Sequence, residues 1–291
     1  MMNFLVINIP FSPYILDLGW LVLSWHGLFT ALGLIVALYL IVYWSGKRSN
    51  DVNDPGFVNP DSVMTIAPWA ILSGIIGARV FHVIDFWSAI YVFDPISVFY
   101  IWKGGIAIYG AVIGGTIGGY LYLQIRNNNY VLRYVTYFPL LNKIKPISLP
   151  RPGIFADLLA PGMILGMAIG RIGDVINGEH FASVTDLPWG IIYTHPLSPG
   201  VNRAATHPAV FYELIWDVMV FVLLWWLKDK IKPDGMLFVV FLLLYSFGRF
   251  FIMFLRDDYQ MNIMGLNQPQ IIAILLLAIT VPVVCFRSKL K

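Results

Sequence analysis

The chain has 291 residues, of which 58% are hydrophobic, 15% aromatic and only 12% charged, with a formal net charge of +3 and a mean hydropathy of +0.74. Soluble domains carry about 25% charged residues, so roughly half the usual supply is present, too little to cover a water-soluble body of this size. No basic run points to nucleic acid, and the single cysteine, Cys285, excludes an internal disulfide and any multi-cysteine metal site.

The N-terminal stretch lacks a positively charged n-region, so no cleavable signal peptide is expected. A transmembrane helix needs about 20 mostly apolar residues, and seven such runs are predicted, near 18–44, 64–86, 104–125, 154–172, 209–227, 236–254 and 270–287. The fold class expected is therefore an all-α polytopic membrane protein, a single integral-membrane domain over 1–291. Thirteen of the nineteen Lys and Arg residues lie in the segments after the first, third, fifth and seventh runs. Four lie on the opposite side, and Arg79 and Arg249 fall inside spans. Positive charge collects in the cytoplasm, which predicts the N-terminus outside and the C-terminus inside.

Two connections exceed ordinary loop length. The cytoplasmic one, about 126–153, carries Pro139, Pro146, Pro150 and Pro152 with five basic residues, as suits a surface facing anionic lipid. The outer one, about 172–208, contains Trp189, Tyr193, His195 and His207 and reads as a small ordered head between the fourth and fifth spans. In the third span Gly110, Gly114 and Gly118 recur every four residues, a spacing that permits close helix packing.

Ionisable groups at membrane depth cost about 2.5–3.5 kcal/mol each on insertion scales and point to function by default. Arg79, His82 and Asp85 sit three apart in the second span, where they form either a self-neutralised structural set or a binding element. Tyr245, Arg249 and Arg256 project within about 40° of one another on a helix, so two guanidiniums share a stripe with a phenol. Snorkelling accounts for Arg256 at the helix end, and less well for Arg249, well inside the apolar run. The densest polar stretch is Gly170-Arg171-Ile172-Gly173-Asp174-Val175-Ile176-Asn177-Gly178-Glu179-His180, closing the fourth span. It reads either as a capped helix end with internal ion pairs or as an anion site facing the outer leaflet, since Arg matches phosphate bidentately. His207-Pro208, followed by Phe211-Tyr212-Glu213, opens the fifth span beside it.

With these residues in view the chain resembles the bacterial prolipoprotein diacylglyceryl transferases over essentially its whole length. Gly170-Arg171, Gly173-Asp174-Val175, Asn177-Gly178-Glu179 and Ala182 echo the family signature of Gly-Arg, Gly-Asn-Phe, Asn-x-Glu and a later Gly. Ser24-Trp25-His26-Gly27 stands where the family has Trp-Tyr-Gly, and Gly77-Ala78-Arg79 resembles its Gly-Gly-Arg. Trp102-Lys103-Gly104-Gly105, leading to Tyr109-Gly110, resembles its Trp-x-Gly-Gly stretch ending in His-Gly. His207-Pro208 with Tyr212-Glu213, and Tyr245 with Arg249, also match.

The resemblance implies transfer of the diacylglyceryl group of phosphatidylglycerol to the lipobox cysteine thiol of a prolipoprotein signal peptide, releasing glycerol phosphate, in the bacterial cytoplasmic (inner) membrane. Membrane lipid, phosphatidylglycerol and the prolipoprotein would be the partners, with no cofactor, metal or nucleic acid. It places Arg171 and Arg249 on the lipid phosphate and the leaving group, with Asn177, Glu179 and Tyr245 orienting the headgroup and those arginines. Asp174, Arg79, His207 and Glu213 complete the expected substrate-binding set. A thiol of pKa about 8.5 must lose its proton before it attacks.

Several positions depart from the family pattern. Its histidine is Tyr109 here, and a phenol of reference pKa about 10 is a poor base near neutral pH. Its first-helix tyrosine is His26, and its signature Asn, Phe and final Gly are Asp174, Val175 and Ala182. A glutamate common in its sixth helix is Met253. Asp174 adds negative charge beside an anionic lipid unless Arg171 neutralises it. Tyr109 and His26 read as an exchange of the family's His and Tyr between the third and first helices, which makes both catalytic candidates. Two rivals stay open: a non-catalytic relative that binds anionic phospholipid or lipobox peptide, and a transporter using the embedded charges as a pathway.

Overall fold

A computed structural model describes residues 6–19, 22–48, 57–101, 105, 107–135, 147, 151–257, 261–263 and 265–290. Trp102, Lys103 and Gly104, and most of the predicted proline-spaced cytoplasmic loop, lie outside the described residues. The chain is mostly helical. Six helices among the described residues are long and apolar enough to cross a membrane, at Trp25–Lys47, Pro60–Asp85, Pro152–Asn177, Ala209–Leu227, Met236–Leu255 and Gln268–Arg287. This is a polytopic helical membrane protein. The third predicted span is the one missing from that set, because its five glycines and three tyrosines dilute the apolar content of a helix otherwise long enough, Ile108–Arg126.

The elements in chain order begin with β1 (Ile7–Ile9), β2 (Tyr14–Asp17) and β3 (Val22–Ser24). The helices are α1 (Trp25–Arg48), α2 (Pro60–Asp85), α3 (Ile108–Arg126), α4 (Asn129–Val135) and α5 (Pro152–Asn177). Then come β4 (Ile191–Tyr193), α6 (Ala209–Leu227), β5 (Ile231–Lys232), α7 (Met236–Ile252), β6 (Met261–Ile263), β7 (Leu266–Asn267), α8 (Gln268–Arg287) and β8 (Lys289–Leu290). The strands, which the all-α expectation omitted, form small two-stranded sheets: β1 with β4 parallel, and β2–β3, β5–β8 and β6–β7 antiparallel.

By contacts the chain divides into two compact units, 1–44 with 151–291 and 45–150. In the first unit, α1 starts at Trp25 rather than at the predicted residue 18, because residues 14–24 pair as a hairpin. The turn is set by Asp17, whose Oδ1 accepts from the Gly19 N–H at 2.9 Å, with Gly19 at φ +78°. Ser24 then caps the helix, its hydroxyl accepting from the Gly27 N–H at 3.0 Å.

The crossing of α1 with α5 is close, and glycines allow it. A Cβ on Gly33 would run into the Gly166 carbonyl oxygen, and one on Gly173 would stand 2.7 Å from both His26 Cα and the Trp25 carbonyl oxygen. Asp157, a buried carboxylate in the second turn of α5, caps α7. Its Oδ2 and Oδ1 accept from the Gly235 and Phe238 N–H groups at 2.8 and 3.0 Å, satisfying donors that a helix N-terminus leaves open. Asn267 and Gln270 close α8 with a reciprocal capping box, each bond 3.0 Å.

In the second unit α2 is capped by Asn59, whose side chain accepts from the Asp61 N–H at 2.9 Å, with Pro60 in the first turn. α2 packs on α3 backbone to backbone. A Cβ on Gly114 would lie 2.9 Å from Gly77 Cα, and one on Gly77 would collide with the Gly110 carbonyl. The four-residue glycine spacing in α3 is thus a packing device.

Candidate functional site

The polar stretch that closes the fourth span is helical for longer than its apolar run suggests. α5 continues to Asn177 and stops at Gly178, which takes φ +73° as the left-handed cap. Arg171, Asp174 and Asn177, three apart, therefore project from one face of the last two turns. Facing them are the start of α6, the end of α7 and the start of α1, so that four helix ends in the first unit share one polar cluster.

Glu213, one turn into α6 and buried, is its hub. Arg171 Nη2 lies 2.9 Å from Glu213 Oε2, as an ion pair outside hydrogen-bond alignment. Oε1 accepts from Arg249 Nη1 and, at 3.4 Å, from Arg256 Nη1. Arg256 is buried and does not snorkel; its Nη2 also lies 2.9 Å from His180 Nδ1. Its backbone bridges Ala182, and the Ser183 N–H donates to the Leu255 carbonyl at 3.0 Å, which ties the residues after α5 to the end of α7. Tyr245, one turn before Arg249, has its ring tilted against that of Phe241 at a centroid distance of 6.1 Å and interacts electrostatically with Arg249 and Arg171. Tyr245 and Arg249 thus face the fourth-span motif from α7, whereas Arg256, expected on the same helical stripe, lies beyond the helix in extended backbone after a short 3-10 turn at Met253–Leu255 and reaches the cluster from there.

Asp174 splits its two oxygens. Oδ1 is 2.5 Å from His26 Nδ1, whereas Oδ2 accepts from Arg171 Nη1 at 3.2 Å and faces His180 Nε2 at 3.6 Å. The negative charge that Asp174 adds is therefore met by Arg171. Asn177 is buried and bonded at both ends of its amide: its Oδ1 accepts from the His26 backbone N–H at 3.4 Å and its Nδ2 donates to Glu179 Oε1 at 2.7 Å. It fastens the start of α1 to the end of α5.

Tyr193 of β4 secures the same helix end from the other side. Its hydroxyl donates to the Val175 carbonyl at 2.8 Å, and its ring fills the space that a Cβ on Gly178 or Gly200 would occupy. Burial, with Asp174 nearby, pushes the Tyr193 phenol up to about 12. His207, half-buried before α6, bonds through its backbone N–H to the Ser183 carbonyl at 3.0 Å, and its Nδ1 takes no hydrogen bond among the described residues.

Two expected site residues belong to the second unit. Arg79 is buried and donates to the carbonyls of Val98 (2.8 Å), Gly105 (2.9 Å) and Ser97 (2.5 Å), with the Tyr91 ring 5.4 Å away. It clasps the segment between α2 and α3 rather than pairing with Asp85. Tyr109 sits in the first turn of α3, and its side chain lies outside what the structure describes.

Sequence reasoning passed over two members of the cluster and set one aside. Asp217 lies four residues after Glu213 on α6, is buried, and leaves Oδ2 without a hydrogen bond among the described residues. The i, i+4 carboxylate pair inside an apolar span was the available signal. His180 belongs to the motif without a role that its spacing reveals, and Arg256, expected at the interface, is buried against it instead.

The profile of the family described as prolipoprotein diacylglyceryl transferase matches residues 13–286. The chain belongs to that family. A phosphatidylglycerol–prolipoprotein diacylglyceryl transferase of Dehalococcoides mccartyi is 32% identical over 284 residues, covering 97% of this chain and 96% of its own length. Relatives of the same name from Nostoc sp. and Clostridioides difficile are 34% and 35% identical, covering 85% and 81% of this chain and 79% of their own lengths. Membership covers both units, so Arg79 and Tyr109 lie within the matched residues as much as the Glu213 cluster does. Among the described residues no group of three His, Cys, Asp or Glu side chains is arranged to hold a metal.

Proposed function

We propose that this chain is a phosphatidylglycerol–prolipoprotein diacylglyceryl transferase, moving the diacylglyceryl group of phosphatidylglycerol to the lipobox cysteine of a prolipoprotein and releasing glycerol phosphate. The observation that carries the reading is the buried cluster in which three arginines from α5 and the α7 end share one carboxylate, Glu213. A guanidinium held by a neighbour's carboxylate is pre-oriented, and such donors stabilise the charge that grows on a leaving phosphate without reorganising. Arg171 and Arg249 would take the lipid phosphate. Tyr245 and Glu179 would border the headgroup, with Asn177, Glu213 and Arg256 holding them in place. His207 would line the rim.

The reading takes the chain as a single integral-membrane domain of the bacterial inner membrane, with α3 as a seventh span, the N-terminus outside and the C-terminus cytoplasmic. Charge supports this orientation. The opposite end of the first unit, where β5 pairs with β8, carries Lys228, Lys230, Lys232 and Lys289. There Lys230 Nζ lies 3.6 Å from the Trp226 ring centroid, and Lys228 lies over Trp225 at 4.9 Å, as interfacial cations do beside aromatic belts. The polar cluster then faces the outer leaflet, where the thiol of a secreted prolipoprotein is presented.

The test is a transfer assay in detergent with labelled phosphatidylglycerol and a lipobox peptide. Wild type should form a thioether-linked product, and Arg249→Ala should lose it. The changed signature positions favour a second reading, a non-catalytic relative. Folded wild type that makes no product yet binds the lipid in an Arg249-dependent way would replace the transferase reading with that one.

A further inference from the structure

His26 and Asp174 are the two departures from the family pattern that touch each other. His26 is held at two points: Asn177 Oδ1 accepts from its backbone N–H at 3.4 Å, and Asp174 Oδ1 lies 2.5 Å from the ring's Nδ1. Gly173 makes this approach possible, since a side chain there would meet His26 Cα. The carboxylate partner is buried, with 8% of its side-chain surface exposed, whereas the imidazole side chain is 39% exposed. Nε2 has no partner among the described residues. Among the described residues the other charged or titratable groups acting on the ring are Glu179 and His180, with Arg171 bonded to the far oxygen of Asp174, all from α5 or the residues just after it. An imidazole with one nitrogen tied to a shielded carboxylate and the other open to a reactant is arranged to accept a proton at the open nitrogen.

We infer that His26 and Asp174 form a proton-accepting dyad, in which His26 Nε2 takes the proton of the lipobox thiol and Asp174 holds the ring's tautomer and orientation. This rests on the transferase reading and names the base within it. In the step, the S–H bond breaks and its proton goes to Nε2. The sulfur pair forms the new S–C bond to the glyceryl carbon of phosphatidylglycerol. The C–O bond to phosphate breaks, and its electron pair stays on the phosphate oxygen of the departing glycerol phosphate. The imidazolium then returns its proton to that phosphate or to water. Because Asp174 Oδ2 is also bonded to Arg171 Nη1, the same carboxylate links the base to an arginine assigned to the leaving phosphate. His26 is the catalytic residue and Asp174 a positioning residue.

The test compares two nucleophiles on the full chain: a lipobox peptide with cysteine, and the same peptide with selenocysteine, whose selenol is already ionised near neutral pH and needs no base. With the cysteine peptide, His26→Gln should lower kcat by about 100-fold or more, the scale of general-base contributions. Asp174→Asn should lower it by about 10-fold. With the selenocysteine peptide both variants should stay within a few-fold of wild type. Equal losses with the two peptides would make the pair structural and overturn the dyad, as would cysteine transfer undiminished in His26→Gln. Where His26→Gln does not accumulate as folded protein, Asp174→Asn carries the same comparison. Failure of wild type to form product with either peptide would remove the transferase reading and the dyad with it. Transfer by wild type that is matched by both variants would remove the dyad alone.

Discussion

Arg171 Nη2 on α5 stands 2.9 Å from Glu213 Oε2 on α6, and the second oxygen of that carboxylate is shared by Arg249 and Arg256. One buried acid thereby holds guanidiniums from two other segments. Removing it leaves three cations in a low-dielectric setting without their common partner, and breaking a buried pair from one side costs about 3–5 kcal/mol. Glu213→Ala is therefore expected to lower the thermal midpoint in detergent strongly and to abolish transfer. Glu213→Gln, which keeps the shape but not the charge, should retain more stability than Glu213→Ala. A midpoint for Glu213→Ala within a degree of wild type would contradict the hub.

Gly173 sets the spacing between α1 and α5. A methyl group there would stand 2.7 Å from His26 Cα and from the Trp25 carbonyl, both backbone atoms that cannot swing away. Gly173→Ala is expected to push the helices apart, costing about 1–3 kcal/mol as overpacking does, and to reduce transfer with an intact Arg–Glu213 cluster. Thermal unfolding and the transfer assay on the same preparation would check it.

Asp157 tests whether a buried charge in an apolar span can be wholly structural. It accepts from two N–H groups at the start of α7 and lies at the end of the first unit away from the arginine cluster. Asp157→Ala should destabilise the protein by about 0.5–2 kcal/mol, the range for a lost N-cap. The kcat of the remaining folded fraction should be unchanged. A fall in kcat without loss of stability would assign Asp157 to the chemistry instead.

Tyr193 predicts a pH dependence of stability. Its phenol is raised in the folded state to about 12 from an ordinary 10, so the folded protein retains a proton that the unfolded chain gives up. That contribution is fully present below about pH 10 and is lost as pH rises toward 12. Tyr193→Phe should remove this part of the alkaline fall while lowering stability at neutral pH, because the bond to the Val175 carbonyl goes with the hydroxyl. Thermal midpoints of the two proteins across pH 8 to 11 give the comparison.

Much of this was legible in the order of residues. Composition and apolar runs identified a polytopic membrane protein, and the run at 209–227 coincides with α6 as observed. The spacing of Tyr245 and Arg249 put a phenol and a guanidinium on one face of α7, because helical periodicity is a local property that a sequence carries, but it could not place Arg256, which follows the end of the helix in extended backbone. The run of Arg171, Asp174, Asn177 and Glu179 marked the site and the family for the same reason. The start of α1 was misplaced because the hairpin at 14–24 is apolar enough to read as a continuation of the span.

Partnership between helices was another matter. The spacing of Asp217 four residues after Glu213 hints at a shared site, but nothing local says that Asp157 caps a neighbouring helix while Asp217 stands buried beside the arginines. The sequence by itself determined which side chains lie on a common face of each helix, and hence the membrane class, the pairing of Tyr245 with Arg249 and the resemblance. Only the tertiary structure decided that Glu213 gathers three arginines, that Arg256 turns inward to His180, and that Asp174 meets His26. Those pairings depend on where helices cross, and the crossing of α1 with α5 is fixed at Gly33, Gly166 and Gly173 by close backbone approach between residues far apart in the chain.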